Sequence, residues 1–191
     1  MKIALIIGSP RVSSNSTKIA ERAAAAIEGS PKEVKKFILN ELKAKGCQGC
    51  NSCKGKTETC VMKDEVAQAL AYCNDADYII ATSPIYIGDV TAQLKIFIDR
   101  SYCWYKPDFK TNPSPSRVAP GKKLILVISQ GNPDTNSYQA GVVDKYTNYF
   151  KSHGIDATSY VAFMPHDPGG AESALANHYQ GIEAVVSGLW P

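Results

Sequence analysis

Apolar residues in this chain collect in short unbroken runs, separated by longer stretches where they recur every third or fourth position. Residues 2–7, 78–82 and 123–129 are apolar with little alternation, which predicts strands buried on both faces. Residues 34–39 alternate more and read as a strand suited to a sheet edge. Residues 155–163 read as a fifth strand. The intervening stretches carry helical spacing. Ile19, Ala23 and Ile27 share a face over 16–28, which Gly29-Ser30-Pro31 ends. Val66, Leu70 and Cys73 do so over 64–74, and Leu94, Phe97, Ile98 and Tyr102 over 91–102. Residues 137–152 and 171–189 complete five helices. Residues 46–60 and 104–121 lack periodicity. The second of these holds prolines at 107, 113, 115 and 120, and long irregular connections in compact domains are usually functional or mobile.

Strands alternating with helices imply a parallel sheet covered on both faces. Five of each fit the flavodoxin-like order 2-1-3-4-5, an α/β three-layer sandwich, here a single domain spanning 1–191. In that architecture ligands sit outside the carboxyl ends of the strands, where the order reverses between strands 1 and 3. The two sharpest loops fall there, at 8–17 and 83–88. The first reads Gly8-Ser9-Pro10-Arg11-Val12-Ser13-Ser14-Asn15-Ser16-Thr17. A strand, a hydroxyl-rich loop and a helix start make a phosphate site: the helix N-terminus offers unpaired N–H groups and partial positive charge. The loop is neither GxxxxGK[ST] nor GxGxxG. It suits one terminal monophosphate. The alternative is an ordinary βα turn with a serine cap.

With 191 residues, 44% hydrophobic and 20% charged, the composition is that of a globular protein. A net charge of +3, with lysines and acids interspersed, gives no reason to expect nucleic acid. No apolar run is long enough to cross a membrane, and the five-residue run near the start is no signal peptide. A cytoplasmic protein is expected. Its six cysteines, at 47, 50, 53, 60, 73 and 103, then point to metal or redox chemistry rather than disulfides.

Three motifs together carry a resemblance. Gly8-Ser9-Pro10-Arg11 with Asn15-Ser16, Ser83-Pro84-Ile85-Tyr86-Ile87-Gly88, and Ala92-Gln93-Leu94-Lys95-Ile96-Phe97-Ile98-Asp99-Arg100 are similar to the flavodoxin-like NAD(P)H-dependent FMN reductases. Cys47-Gln48-Gly49-Cys50-Asn51-Ser52-Cys53 with Cys60 resembles the iron–sulfur flavoproteins within that group. The likeness is strong over 1–103 and thin afterwards. It implies that Ser9, Arg11, Ser14, Asn15, Ser16 and Thr17 hold the FMN phosphate. Pro84, Ile85, Tyr86, Ile87 and Gly88 would line the isoalloxazine, and Ser129, Gln130 and Gly131 would close its other side. Val12 and Ser14 depart from residues that are often Lys and Gly in relatives. The implied activity is an FMN-dependent oxidoreductase or electron-transfer flavoprotein, with NAD(P)H as a candidate co-substrate and a homodimer or homotetramer as the assembly. The aromatic stretch from Tyr102 to Phe109 is a candidate contact patch.

The cysteine spacing CxxCxxC places three sulfurs in one tight loop, as bacterial ferredoxins do for a cubane cluster. The fourth follows after six residues without the ferredoxin proline, so the pattern is that of the iron–sulfur flavoproteins. Cys47, Cys50, Cys53 and Cys60 are therefore candidate ligands of a [4Fe–4S] cluster beside the flavin edge, fed by a ferredoxin-like donor. Free thiols are the alternative; zinc fits less well, because structural zinc sites usually split their ligands into two separated pairs.

A small electron carrier is a competing role, although flavodoxins are usually acidic and this chain is slightly basic. A cofactor-free α/β module is another; flavin absorption by the purified protein would exclude it. Lys95, Asp99 and Arg100 read as a solvated or subunit-contact helix face, since i, i+4 charge pairs are common there. His153, His166 and His178 are too scattered for a metal site and read as surface residues. His166 follows strand 5 and would lie on the cofactor side.

Overall fold

The computed structural model describes residues 1–11, 13–29 and 32–189. Val12, Ser30 and Pro31 lie outside these, so the substitution at 12 and part of the first helix stop carry no structural account.

Parallel strands β1 (Lys2–Ile7), β2 (Glu33–Ile38), β3 (Tyr78–Tyr86), β5 (Lys123–Gln130) and β6 (Asp156–Phe163) form the sheet in the order β2-β1-β3-β5-β6. That is the expected 2-1-3-4-5 order with one addition. A two-residue strand, β4 (Asp89–Val90), pairs antiparallel with the end of β3. Two residues carry no periodicity, so nothing in the sequence marks it. As expected, β2 is an edge strand, with its first four residues exposed.

The unbroken apolar runs are explained by the two faces. Ile3, Leu5 and Ile7 pack beneath helices α1 (Asn15–Ala26) and α5 (Pro168–Leu189), with Ile19, Ala23 and Ile182. Ala4 and Ile6 face the opposite layer of α2 (Glu65–Asp75), α3 (Ala92–Arg100) and α4 (Lys145–Lys151), with Leu70, Phe97 and Phe150. Alternate residues of one strand thus enter two different cores. A turn of π-helix, Gln139–Asp144, leads into α4.

Two expectations about exposure fail. His153 is 2% exposed, wedged between the rings of Trp104, Tyr105 and Tyr149. Burial, and then the nearby Lys54 cation, push its pKa down to about 4, so it is held neutral. His178 is partly buried and bonds Tyr160 and the Phe163 carbonyl. Only His166 is a surface residue. Trp104 is also buried, leaving Tyr102, Tyr105 and Phe109, in edge-to-face and tilted contact with one another, as what remains of the aromatic patch.

Gly8 closes the junction of three elements. Its N–H donates to the Thr82 carbonyl at 2.9 Å, and its carbonyl accepts from Thr91 Oγ1 at 2.6 Å. A Cβ there would lie 2.4 Å from Thr82 O and 2.8 Å from Leu94 Cβ. Both neighbours are fixed in the core, so Gly8→Ala is expected to lower stability by about 1–3 kcal/mol or more through overpacking. Thermal melts of the two proteins check this, and an unchanged melting temperature would contradict it.

Candidate functional site

The carboxyl edge of the sheet gathers the predicted loops by register. Ile7 pairs with Thr82, and Pro84 with Ser129. The 8–17, 83–88 and 129–131 segments therefore meet at one edge.

The first loop winds onto α1 through its own hydroxyls. Ser9 Oγ accepts from the Arg11 N–H at 3.2 Å. Ser14 caps the helix, accepting from the Thr17 N–H at 3.1 Å, and its hydroxyl also bonds those of Thr17 (2.7 Å) and Ser16 (3.2 Å). Ser9, Ser14, Ser16 and Thr17 are all buried, Asn15 is half-buried and Arg11 is exposed. Four buried hydroxyls thus gather at a helix N-terminus, where backbone donors outnumber acceptors, a setting that favours an anion. The serine cap expected of an ordinary βα turn is present, and it leaves the other hydroxyls at the same helix start.

The second loop differs from expectation. Ser83 to Tyr86 continue β3, and only Ile87-Gly88 form the turn into β4. Both turn residues have positive φ, 49° and 75°, as a two-residue type I′ hairpin requires. Glycine takes this freely. Isoleucine does not, and Ile87 is also fully exposed. A strained, solvent-facing apolar residue at a sheet's ligand edge is a mark of function. Tyr86 beside it is 42% exposed, so it is no core aromatic. Thr91 ties this loop to the first: it caps α3, and its N–H donates to Ser83 Oγ at 2.9 Å.

At the third segment, the Gln130 amide donates to the carbonyls of Asn132 and Asp134, both at 2.9 Å, folding the loop back. The His166 ring lies close enough to Gly131 that a Cβ there would be 2.6 Å from Nε2. His166 is thus at the carboxyl edge of the sheet, after the last strand.

The cysteines lie against α3. Cys47 shares a hollow with Lys95, Ile98 and Asp99, and all four candidate ligands share a cavity with Arg100, the last residue of that helix. The segment is tethered. Lys54 Nζ donates to the carbonyls of Tyr102 (2.6 Å) and Tyr105 (2.7 Å) and lies 3.9 Å over the Tyr102 ring.

Cys47, Cys50, Cys53 and Cys60 line one cavity of 250 Å³, together with Met62, Arg100 and a fifth thiol, Cys103. That is roughly ten or more times the room one water needs. Among the described residues no three Cys, His, Asp or Glu side chains are placed together as a metal site; the thiols are gathered as lining of the cavity. Hydrogen bonds from the backbone N–H and then the side chain of Ser52 hold the Cys50 pKa below the usual thiol range. Burial pushes Cys103 up to about 11.

Arg100 is the residue the sequence reading misplaced. It is 1% exposed, not part of a solvated face. Its Nη1 reaches both Asp64 oxygens, at 2.7 and 2.5 Å, and its Nη2 approaches Cys60 Sγ at 3.4 Å. Lys95 and Asp99 do form the exposed i, i+4 pair. Arg100 follows Phe97 by three residues, which puts it beside the apolar stripe, and that spacing was the available signal.

Residues 1–131 match the NADPH-dependent FMN reductase family. The chain belongs to that family. It is an FMN-dependent oxidoreductase with a flavodoxin-like fold. An iron–sulfur flavoprotein of Archaeoglobus fulgidus is 39% identical over 88% of this chain and 71% of its own. One from Methanosarcina thermophila is 31% identical over 81% of this chain and 75% of its own. A solved FMN-dependent NADH-azoreductase of Bacillus anthracis, in complex with FMN, superposes with a TM-score of 0.69 at 16% identity, covering 100% of this chain and 99% of that one. Among the described residues no helix is long and apolar enough to cross a membrane.

Proposed function

We propose that this oxidoreductase exchanges electrons between FMN on the carboxyl edge and a [4Fe–4S] cluster held by Cys47, Cys50, Cys53 and Cys60. The carrying observation is that these four thiols, spaced as CxxCxxC plus one, line a single cavity. Three cysteines in one tight loop with a fourth close by suit a multinuclear group better than the split pairs of a structural zinc site. The relatives named as iron–sulfur flavoproteins support the same reading.

For FMN, the buried hydroxyls of Ser9, Ser14, Ser16 and Thr17, with Asn15 and Arg11, suit a dianionic phosphate. Pro84, Ile85, Tyr86, Ile87 and Gly88, facing Ser129, Gln130 and Gly131, form the edge along which a flat ring fits. Gly88 lets backbone approach closely. When bound, FMN supplies hydride and single-electron transfer, and the cluster supplies single-electron transfer. The chain's part is to bind, orient and tune.

The electron donor on this reading is a ferredoxin-like protein, and the assembly is a homodimer or homotetramer in the cytoplasm. A second reading, a cluster-free NAD(P)H-dependent reductase, is favoured by the family match and by the exposure of Cys47 and Cys50. The discriminating experiment is anaerobic stopped-flow mixing of the FMN-loaded protein with a reduced ferredoxin or with NADPH. Rapid bleaching of flavin and cluster absorption by the ferredoxin, with slow reaction of NADPH, is expected. Rapid reduction by NADPH alone would establish the second reading.

A further inference from the structure

We propose that Arg100 sets the reduction potential of the cluster, with Asp64 as the counter-ion that moderates it. This rests on the cluster reading above.

Arg100 ends α3 and is enclosed, and it lines the same cavity as the four cysteines. Its guanidinium faces two kinds of partner. Nη1 donates to Asp64 Oδ1 and Oδ2 and to the Lys45 carbonyl at 3.4 Å. Nη2 donates to Cys60 Sγ and to the Met62 carbonyl, each at 3.4 Å. Its Nε is buried without an acceptor among the described residues. Burying a cation is costly unless it is paired, and Asp64 provides the pair. Leaving one of its N–H groups unpaired adds to that cost. If stability alone decided this position, an apolar residue beside Phe97 would serve as well. A guanidinium on a candidate ligand sulfur has a chemical effect that an apolar residue lacks.

Hydrogen bonds to the sulfurs and the local net charge are the protein's levers on cluster potential. A cluster with four thiolates gains one negative charge when it takes up an electron. A fixed cation at Cys60 favours that reduced state, and its N–H bond draws electron density from the sulfur. Asp64 opposes it, because its carboxylate offsets the guanidinium charge. Asp64 also caps α2, accepting from the Ala67 N–H at 3.0 Å. The two residues should therefore move the potential in opposite directions, which a purely structural ion pair would not do.

The test is an anaerobic redox titration, with dithionite as reductant and the cluster signal read by electron paramagnetic resonance. Wild type, Arg100→Gln and Asp64→Asn are compared after iron and sulfide analysis. Asparagine caps helices as well as aspartate, so α2 should survive that change. Arg100→Gln is expected to lower the equilibrium constant for reduction about tenfold, which is 59 mV downward for one electron. Asp64→Asn is expected to raise the potential. Potentials that stay put, or move together, overturn the proposal while leaving the cluster reading intact. If Arg100→Gln does not take up iron, Asp64→Asn alone decides: a rise supports the proposal, and no change or a fall overturns it. If neither variant holds iron, the pair is structural and the proposal fails. Absence of iron in the wild type itself would instead refute the cluster reading.

Discussion

Cys50→Ala is expected to abolish iron binding while FMN remains bound in full. The cavity that Cys50 lines is walled by Arg100 and Cys103, whereas the hydroxyl cradle is bonded within the first loop itself, so the substitution removes none of the cradle's hydrogen bonds. Cys50 is exposed, and the hydrogen bonds it makes are local ones to Ser52, so the fold should not depend on it. Its hydrogen bonds to Ser52 favour the thiolate, the form that ligates iron. Iron and FMN per chain, measured after anaerobic reconstitution, check both halves. Full iron in Cys50→Ala would remove it from the ligand set. Cys103→Ala is the matching control. Cys103 lines the same cavity but is buried, and its thiol is pushed up to about 11, so its loss should leave the iron in place.

Removing the phosphate contacts has the next largest effect, and it is selective. Asn15→Ala and Arg11→Ala are each expected to weaken FMN by about tenfold or more, since a hydrogen bond to a charged group is worth about 1.5–3 kcal/mol. Riboflavin, which lacks the phosphate, should bind almost as before. The two residues differ in one respect. Arg11 is exposed, so its share should fade as salt is added, whereas Asn15 is half-buried and should be less sensitive. Titrations of FMN and riboflavin at low and high salt measure all four quantities. Equal losses for both flavins would refute the phosphate assignment.

The fold was legible because its strongest signals are local. Apolar runs marked the buried strands, and helical stripes such as Ile19, Ala23 and Ile27 marked the layers. The carboxyl-edge loops followed from topology. The details that escaped depend on contacts distant in sequence. Ser83-Pro84 carries turn chemistry, yet pairing with β5 as far as Ser129 extends β3 through it to Tyr86. His153 follows Tyr146 and Phe150 at helical spacing, but a rule counting only apolar residues passes over a histidine that sits neutral among aromatic rings. The cysteine loop has no period of its own. Its position is set by Lys54 bonding carbonyls 48 and 51 residues away, and by Arg100 reaching back to Asp64 and Cys60. Spacing identified the candidate ligands but could not locate them along α3.

The most direct test of the account is the composition of the wild-type protein made and purified without oxygen. It should be brown, with FMN and about four iron and four sulfide per chain. Protein that stays purely yellow and free of iron under those conditions would show that the cysteine-lined cavity holds no cluster.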